Sequence, residues 1–277
     1  MGGRELRRAL LRIVAAGALV VVVSAAQQLQ FTPVSQDVVY ARLNSFSTKN
    51  ADRERIIRRL FVEAGCTEDA LSEVPVDHVH ETDLACTKSG ESDQEILVGA
   101  HFDMVDVGTG VVDNWSGASL LPSIYQGLTA LPRKHTFVLV AFAGEERGLL
   151  GSKAYVKQLG KDKTRIKAMV NLDTLGLDDT KVWVTHADKD LVTGISAVAH
   201  TMKLPIAAVN VDKVGSADSE SFRDAHIPAI TIHSLTQETL GILHSPRDQP
   251  KEIHMDAYYR SYQLVLGYLA YLDFKLE

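Results

Sequence analysis

The chain has 277 residues, of which 45% are hydrophobic, and it carries a formal net charge of −6. This length and composition allow one sizeable core, which is ordinary for a single α/β domain. An acidic chain with no basic stripe beyond its N-terminus is a poor nucleic-acid binder, so the sequence predicts no nucleic-acid partner.

The first 26 residues differ in composition from the rest of the chain. Four arginines precede an apolar run at residues 13–23, and small residues follow it. A basic segment, a short apolar segment and small residues form the pattern of a secretory signal. We therefore expect residues 1–26 to be a signal peptide, or an N-terminal membrane anchor if they stay uncleaved, with a buried helix as the alternative. A signal or an anchor predicts an exported protein, periplasmic or secreted.

Downstream of this segment, hydrophobic periodicity predicts helices and strands in alternation. Residues 35–65 have mostly helical spacing, with Asp52 as a candidate N-cap. Residues 74–80 alternate as an edge strand would, and residues 87–93 form a polar loop. The later chain contains strand-like runs at 96–100, 137–143, 168–172, 182–185 and 229–232, and helical patterns at 118–129, 149–159, 191–202, 219–224 and 256–274.

This alternation predicts the fold class. Strands that alternate with helices favour an α/β fold with a mixed, largely parallel central sheet and helices on both faces. No internal repeat or low-complexity tract interrupts the pattern. We therefore expect a single domain after the N-terminal segment.

Cys66 and Cys86 are the only cysteines in the sequence. In an exported protein an even number of cysteines predicts a disulfide. By closing a loop in the unfolded chain and lowering its entropy, the bond would stabilise the folded protein by roughly 3 kcal/mol. Two unlinked buried thiols are the alternative, and the spacing excludes a CxxC-type metal site.

Acidic and histidine side chains follow the predicted strands, most of them directly; Asp113 lies further along, in the loop before the next helix, and His244 comes ten residues after the strand segment "PAITIHS". Ligands of open α/β sheets bind outside the carboxyl ends of the strands, so these side chains are expected at one edge of the sheet. Each of them offers a carboxylate or an imidazole, which are ligands for a hard or borderline metal ion. The set comprises His101, Asp103, Asp113, Glu145, Glu146, Asp173 and His244.

The number of these residues favours two metal ions over one. Two histidines and three ligating carboxylates exceed a lone catalytic zinc, which takes three protein ligands and a water. If Asp113 is shared, the set suits two ions roughly 3.5–4 Å apart. Taken singly, each carboxylate is more often a helix cap or a solvated charge, and Asp113 could cap the helix at Ala118. Their coincidence at one edge favours the metal site.

Glu145 and Glu146 are adjacent, which constrains the backbone around them. Neighbouring side chains of a strand point to opposite faces of the sheet. For both glutamates to serve one site, the strand must end at about Gly144 and the chain must turn there.

Five segments together resemble the motifs of a known family. In chain order they are "GAHFD", "VVDNWSGAS", "FAGEERGLLGS", "NLDTLG" and "HSPRDQP". They are similar to the motif series of the aminopeptidase Y family of zinc exopeptidases, which includes glutamate carboxypeptidase and, as a related branch, the glutaminyl cyclases. The resemblance spans His101 to Asp248 and implies that residues 33–277 form a zinc exopeptidase catalytic domain.

The resemblance implies a centre of two zinc ions. His101 and Asp173 would hold one ion, and Glu146 and His244 would hold the other. Asp113 would bridge the two ions.

Four further residues receive roles from the resemblance. Glu145 would be the general base, and Asp103 would orient His101. Asp248 would lie beside the ligand His244, and Asp218 would lie around the ligands or on the substrate side. The segment "GSADSESF" departs from the family pattern at two positions that concern substrate contacts, where Ala217 and Ser219 replace Ser and His.

The function implied by the resemblance is that of a zinc-dependent aminopeptidase. Such an enzyme hydrolyses the first peptide bond of peptides with a free N-terminus, through a metal-activated water and a glutamate base. The alternative is a glutaminyl-peptide cyclotransferase-like enzyme with a related zinc site, but those enzymes usually carry Trp where this chain has Leu243. A carboxypeptidase would need an arginine cluster that is not evident, and an inactive ectodomain would typically have lost ligands.

Overall fold

The computed structural model describes residues 31–211 and 215–276. The predicted signal or anchor segment, residues 1–26, lies outside the described residues. Among the helices of the described ranges, none is both long enough and apolar enough to cross a membrane.

A sheet of eight strands forms the centre of the described chain. The strands are β1 (Leu71–Pro75), β2 (Thr82–Lys88), β3 (Glu95–His101), β4 (Thr136–Phe142), β5 (Ile166–Leu172), β6 (Lys181–Val182), β7 (Ala207–Ala208) and β8 (Ala229–His233). Their spatial order is β1-β2-β4-β3-β5-β8-β6-β7. The central pairs β4–β3, β3–β5 and β5–β8 are parallel, whereas β1–β2, β2–β4 and β6–β8 are antiparallel. The predicted mixed, largely parallel sheet is confirmed.

Helices cover both faces of this sheet. They are α1 (Gln36–Leu43), α2 (Asn50–Glu63), α3 (Ser116–Ala118), α4 (Leu120–Thr129), α5 (Leu150–Leu159), α6 (Lys189–Met202), α7 (Ser219–Asp224) and α8 (Met255–Lys275). Helices α5 and α7 pack together on one face, and α4, α6 and α8 pack on the other. In the long α8, 13 of the 21 residues are buried, including every residue from 264 to 270, where its sequence is most apolar.

Successive residues of the central strands enter two separate cores. Leu97, Val140 and Phe142 pack with Tyr155 of α5 and Phe222 of α7 on one face. The residues between them point to the larger core on the opposite face, which includes Ile96, Val98, Ala100, Leu139 and Ala141. This is the alternation expected of strands buried on both sides.

Three expectations about strand positions were wrong. The edge strand expected at 74–80 lies at Leu71–Pro75, because the chain turns at residues 77–78. Residues 82–88, of which the last two were assigned to a loop, form strand β2, which lies between β1 and β4. The predicted strand 182–185 is reduced to Lys181–Val182, because the chain then enters the short 3-10 helix Val184–His186.

Asp52 does not cap α2. The helix begins at Asn50, so Asp52 lies in its first turn. There its carboxylate forms an ion pair with Arg55 and accepts a hydrogen bond from the Ser47 hydroxyl. An acidic side chain in the first turn favours the helix through its dipole rather than through a cap.

Cys66 and Cys86 form the predicted disulfide, with their Cα atoms 6.3 Å apart. Cys66 follows α2 and Cys86 lies in β2, so the bond joins the first long helix to the antiparallel side of the sheet. Both residues are buried.

Candidate active site

The site residues meet at the carboxyl edge of the parallel strands. His101 is the last residue of β3, and Asp173 directly follows β5. Glu145 and Glu146 follow β4, and His244 comes from the loop beyond β8. Together with Asp113 they line a cavity of about 240 Å³. The predicted grouping at one sheet edge is therefore what the structure contains.

The chain turns at Gly144, as expected. Strand β4 ends at Phe142, and Gly144 has φ 70° and ψ 30°, in the left-handed region that favours glycine. A short 3-10 helix, Glu145–Arg147, follows. This turn breaks the strand alternation and brings both glutamates into the same cavity.

Two groups of three side chains could each hold a metal ion, and they share Asp113. One group is His101, Asp113 and Asp173, and the other is Asp113, Glu146 and His244. Within each group the donor atoms lie within 4.8 Å of one another. Asp113 Oδ1 lies 3.3 Å from His101 Nε2, and Asp113 Oδ2 lies 3.3 Å from His244 Nε2. One carboxylate oxygen of Asp113 thus faces each group.

The two groups differ in exposure. The side chain of His101 is 2% exposed, whereas that of His244 is 54% exposed. His244 Nε2 lies 2.9 Å from Glu146 Oε2. Nitrogen and carboxylate donors without a thiolate, three to a group, fit zinc, which keeps an open position for water or substrate in catalytic sites.

Burial and mutual charge shift the pKa values of these ligands. Burial alone would lower the pKa of His101, but carboxylates, above all Glu145, raise it well above the usual range. Burial would raise the pKa of Asp113, but hydrogen bonds with the two histidines lower it instead. Burial raises the pKa of Asp173 to about 6 and that of Glu146 to about 7. So many carboxylates in a desolvated cavity favour a bound cation.

Glu145 stands beside the two groups without belonging to either. Its Oε2 lies 3.9 Å from His101 Nε2, and its side chain is 11% exposed. Burial raises its pKa well above the usual range, although the positive charge of His101 acts in the opposite direction. A carboxyl group with a raised pKa that lines a cavity has the properties of a proton carrier.

Asp103 holds the turn that carries the two glutamates. Its Oδ1 accepts a hydrogen bond from the main-chain N–H of Glu145 at 3.0 Å, and its Oδ2 accepts one from Glu146 at 3.2 Å. The same Oδ1 lies 3.6 Å from His101 Nδ1, which is longer than a hydrogen bond. Asp103 therefore lies beside His101, as expected, but its hydrogen bonds go to the turn.

Asp248 holds the segment that carries Asp113 in a similar way. Its two carboxylate oxygens accept the N–H groups of Val112 and Asp113 at 2.9 and 3.1 Å. Its direct partners thus lie next to Asp113 rather than at His244. Asp218 is fully buried at the start of α7, where burial raises its pKa to about 7, and it is in neither metal group.

His233 is the last residue of β8 and lines the cavity, but both of its ring nitrogens are engaged. Nδ1 accepts the N–H of Leu235 at 3.1 Å, which leaves Nε2 to donate to the carbonyl of Val209 at 3.0 Å. Burial lowers its pKa to about 4, which keeps the ring neutral. His233 thus has no ring nitrogen left for a metal ion, whereas His244 Nε2 faces the carboxylates of Asp113 and Glu146.

Arg53 is a residue of the site region that the sequence analysis missed. It is fully buried in α2, and its guanidinium lies 5.5 Å from the ring centroid of Trp115. It donates hydrogen bonds of 2.7 to 2.9 Å to the carbonyls of Ser47, Phe102, Thr109 and Gly110. Arg53 lies four residues before the buried Ile57, on the apolar face of the helix, and that placement was the available signal.

The cavity that contains the acidic groups also has apolar walls. Its apolar walls are the side chains of Trp183, Val211, Leu235 and Leu243. The cavity can therefore receive a molecule with a cationic or metal-seeking end and an apolar side chain.

Comparison with known proteins shows relatives among the peptidases. The sequence profile of peptidase family M28 matches residues 84–269. Aminopeptidase YwaD of Bacillus subtilis is 29% identical over 179 residues, which cover 61% of this chain and 39% of YwaD. Leucine aminopeptidase 2 of Trichophyton rubrum is 35% identical over 94 residues, or 34% of this chain. The chain spans only about 19% of the length of such fungal relatives.

Solved aminopeptidase structures share the fold. LapA of Legionella pneumophila is similar with a TM-score of 0.74 and 22% identity, over 88% of this chain and 73% of LapA. BSAP, a zinc aminopeptidase from Bacillus subtilis, gives a TM-score of 0.62 and 24% identity, over 68% of this chain and 49% of BSAP. These likenesses agree with the predicted fold class, and the profile match includes every residue of the two metal groups. The chain belongs to peptidase family M28.

Proposed function

We propose that this protein is a zinc-dependent aminopeptidase that removes the N-terminal residue from peptides. The observation that carries this proposal is the position of Asp113, which offers one carboxylate oxygen to each of two donor groups. When bound there, zinc would polarise the carbonyl of the first peptide bond and lower the pKa of a water molecule. The two-ion arrangement would be held by His101 and Asp173 on one side and by Glu146 and His244 on the other.

Glu145 is the proposed general base. It lines the cavity beside His101 but is absent from both donor groups, so its carboxylate stays free to exchange a proton. Glu145 would take a proton from the attacking water and deliver it to the nitrogen of the leaving amine. Its raised pKa supports this role, because a group that both accepts and donates a proton works best when its pKa lies near the operating pH.

The lining of the cavity supports a substrate with a free, positively charged N-terminus and an apolar first side chain. The carboxylates would attract the ammonium group, and the apolar walls formed by Trp183, Leu235 and Leu243 would cover the side chain. The name of the fungal relatives, leucine aminopeptidase, is in keeping with such a preference.

Export is part of the proposal. A disulfide persists in oxidising compartments and is rare in a reducing cytosol. The bond between Cys66 and Cys86 therefore supports a periplasmic or secreted protein, in which residues 1–26 serve as the signal or the anchor.

A comparison of three fluorogenic substrates tests the aminopeptidase activity against the cyclotransferase alternative. The proposal predicts turnover of a leucyl substrate, little turnover of its N-acetylated form, and no ammonia release from a glutaminyl substrate. Cyclisation of the glutaminyl substrate with release of ammonia, and no cleavage of the leucyl one, would favour the alternative.

A further inference from the structure

Asn114 connects the chain segments that carry Asp113 and Asp173, two members of the metal group formed with His101. It directly follows Asp113, and its side chain reaches the peptide groups on both sides of Asp173. Its Nδ2 donates to the carbonyl of Leu172 at 2.8 Å, and its Oδ1 accepts the N–H of Thr174 at 3.0 Å. Asn114 is fully buried, so these hydrogen bonds have no competition from solvent.

The orientation of the Asn114 amide follows from its partners. A carbonyl can only accept and a main-chain N–H can only donate, so the nitrogen must face Leu172 and the oxygen must face Thr174. Oδ1 also accepts the N–H of Gly117 at 3.0 Å. A Cβ atom at Gly117 would lie 2.5 Å from the Leu172 carbonyl oxygen and 2.6 Å from Asn114 Oδ1. Glycine at this position therefore permits the close approach.

Ser116 forms a second connection between the same two segments, with one hydrogen bond to the segment of Asp173 where Asn114 makes two. Its hydroxyl accepts the N–H of Leu175 at 2.8 Å and donates to the carbonyl of Val112 at 2.7 Å. The segments that carry Asp113 and Asp173 are thus joined by side chains that lie outside both metal groups.

We propose that Asn114 is a positioning residue that sets the separation of Asp113 and Asp173, and thereby forms the metal group of His101, Asp113 and Asp173. This inference rests on the proposed zinc site. The other metal group depends on different contacts, since Asp103 holds the turn of Glu146. Asp113 belongs to both groups, but its own N–H is held by Asp248. Loss of Asn114 therefore acts chiefly on the placement of Asp173, which belongs to only one of the two groups.

The size of the effect follows from the buried peptide groups. Asn114→Ala leaves the Leu172 carbonyl and the Thr174 N–H without their partner, and unsatisfied buried groups drive the end of β5 to shift. A metal ligand must lie within a few tenths of an ångström of its proper place. Replacing a residue that orients ligands typically weakens metal affinity about 10- to 100-fold.

Titration of the metal-free protein with Zn²⁺, followed by calorimetry, tests this inference. Wild type is expected to bind two ions. Asn114→Ala is expected to bind one ion with wild-type affinity and the other at least about tenfold more weakly. Ser116→Ala should lower the affinity for the same ion by a smaller factor. Ser261→Ala is the matched control, because it removes a buried hydroxyl contact, to Thr180 at 2.8 Å, from residues that do not line the cavity. It should bind both ions as wild type does.

The possible outcomes separate this inference from the proposed function. If Asn114→Ala binds both ions as tightly as wild type does, the inference is overturned and the proposed zinc site is unaffected. If Asn114→Ala binds both ions more weakly by the same factor, Asn114 does not act selectively on one metal position. No zinc bound by wild type would overturn the proposed function itself. If Asn114→Ala does not fold, wild-type zinc binding by Ser116→Ala overturns the inference.

Discussion

The carboxylate of Asp103 accepts a hydrogen bond from the main-chain N–H of Glu145, with an oxygen-to-nitrogen distance of 3.0 Å. Its other oxygen accepts the N–H of Glu146. The turn after β4 is thus fixed at its backbone by a residue that follows a neighbouring strand. The proposed base and a proposed zinc ligand consequently depend on the same buried carboxylate.

Removal of this carboxylate should reduce turnover. Asp103→Ala leaves two N–H groups of the turn without an acceptor, and each such loss costs about 1–3 kcal/mol. We expect kcat for a leucyl substrate to fall about 10- to 100-fold. For Asp103→Asn we expect a smaller decrease in kcat, because the amide oxygen of asparagine can still accept a hydrogen bond from one of the two N–H groups. Equal activity of Asp103→Ala and wild type in steady-state assays would contradict this role.

Glu145→Gln should separate metal binding from proton transfer. The substitution keeps the shape of the side chain and removes a group that lies outside both metal groups. Bound zinc, measured by elemental analysis, should stay near the wild-type amount, while kcat falls about 10²- to 10⁴-fold. Substantial residual turnover at full zinc occupancy would assign the base to another residue.

Most of the candidate site could be predicted from the sequence, because its residues follow strands with clear apolar runs. His101 and Asp173 lie where any open α/β sheet gathers its loops. The turn at Gly144 followed from strand alternation, which would otherwise place Glu145 and Glu146 on opposite faces of the sheet. Strand alternation could not say which glutamate is the ligand. The family resemblance assigned Glu146 to the group of His244, and in the structure Glu146 lies beside His244 and Glu145 beside His101.

The parts that could not be predicted depend on the burial of polar side chains. Strand β2, "TDLACTK", resembles a loop at both ends because of its polar residues. In the structure Asp83 is fully buried and accepts the N–H of Ala143 at 2.8 Å, just beyond the end of β4. Asn114 and Arg53 were missed for the same reason, since their partners are main-chain groups distant in sequence.

The metal-free protein should become less stable as the pH rises from 6.5 to 9. Burial raises the pKa of Glu146 to about 7, and a hydrogen bond with Asp113 raises that of His244 to about 9. For His244 the stabilising contribution is fully present below pH 6.5 and is lost as the pH rises through about 9. Burial disfavours the ionised form of Glu146, so this group lowers stability further between pH 4.5 and about 7 and changes it little above that. His233 acts in the opposite direction only between pH 4 and 6.5, because burial lowers its pKa to about 4.

Zinc should reverse this trend. The ion binds deprotonated ligands, so its affinity rises with pH. The difference in Tm between zinc-loaded and chelator-treated protein, measured by scanning fluorimetry, should widen from pH 6.5 to 9. A difference that is constant or narrows over this range would contradict the assignment of Glu146 and His244 as ligands.

The disulfide should contribute measurably to stability. Cys66 and Cys86 are 20 residues apart, and closing a loop of this size stabilises the folded chain by roughly 3 kcal/mol. The double variant Cys66→Ala/Cys86→Ala should lose about that free energy of unfolding in urea. Activity at low temperature should be retained, because neither cysteine lines the active-site cavity. An unchanged free energy of unfolding would show that the bond does not contribute.

The dependence of peptide hydrolysis on zinc tests the central claim most directly. Cleavage of a leucyl fluorogenic substrate would be measured on purified protein, after removal of metal with a chelator, and after return of Zn²⁺. The account predicts that chelation abolishes turnover and that about two equivalents of Zn²⁺ per chain restore it. Undiminished turnover by protein shown to be free of metal would contradict it.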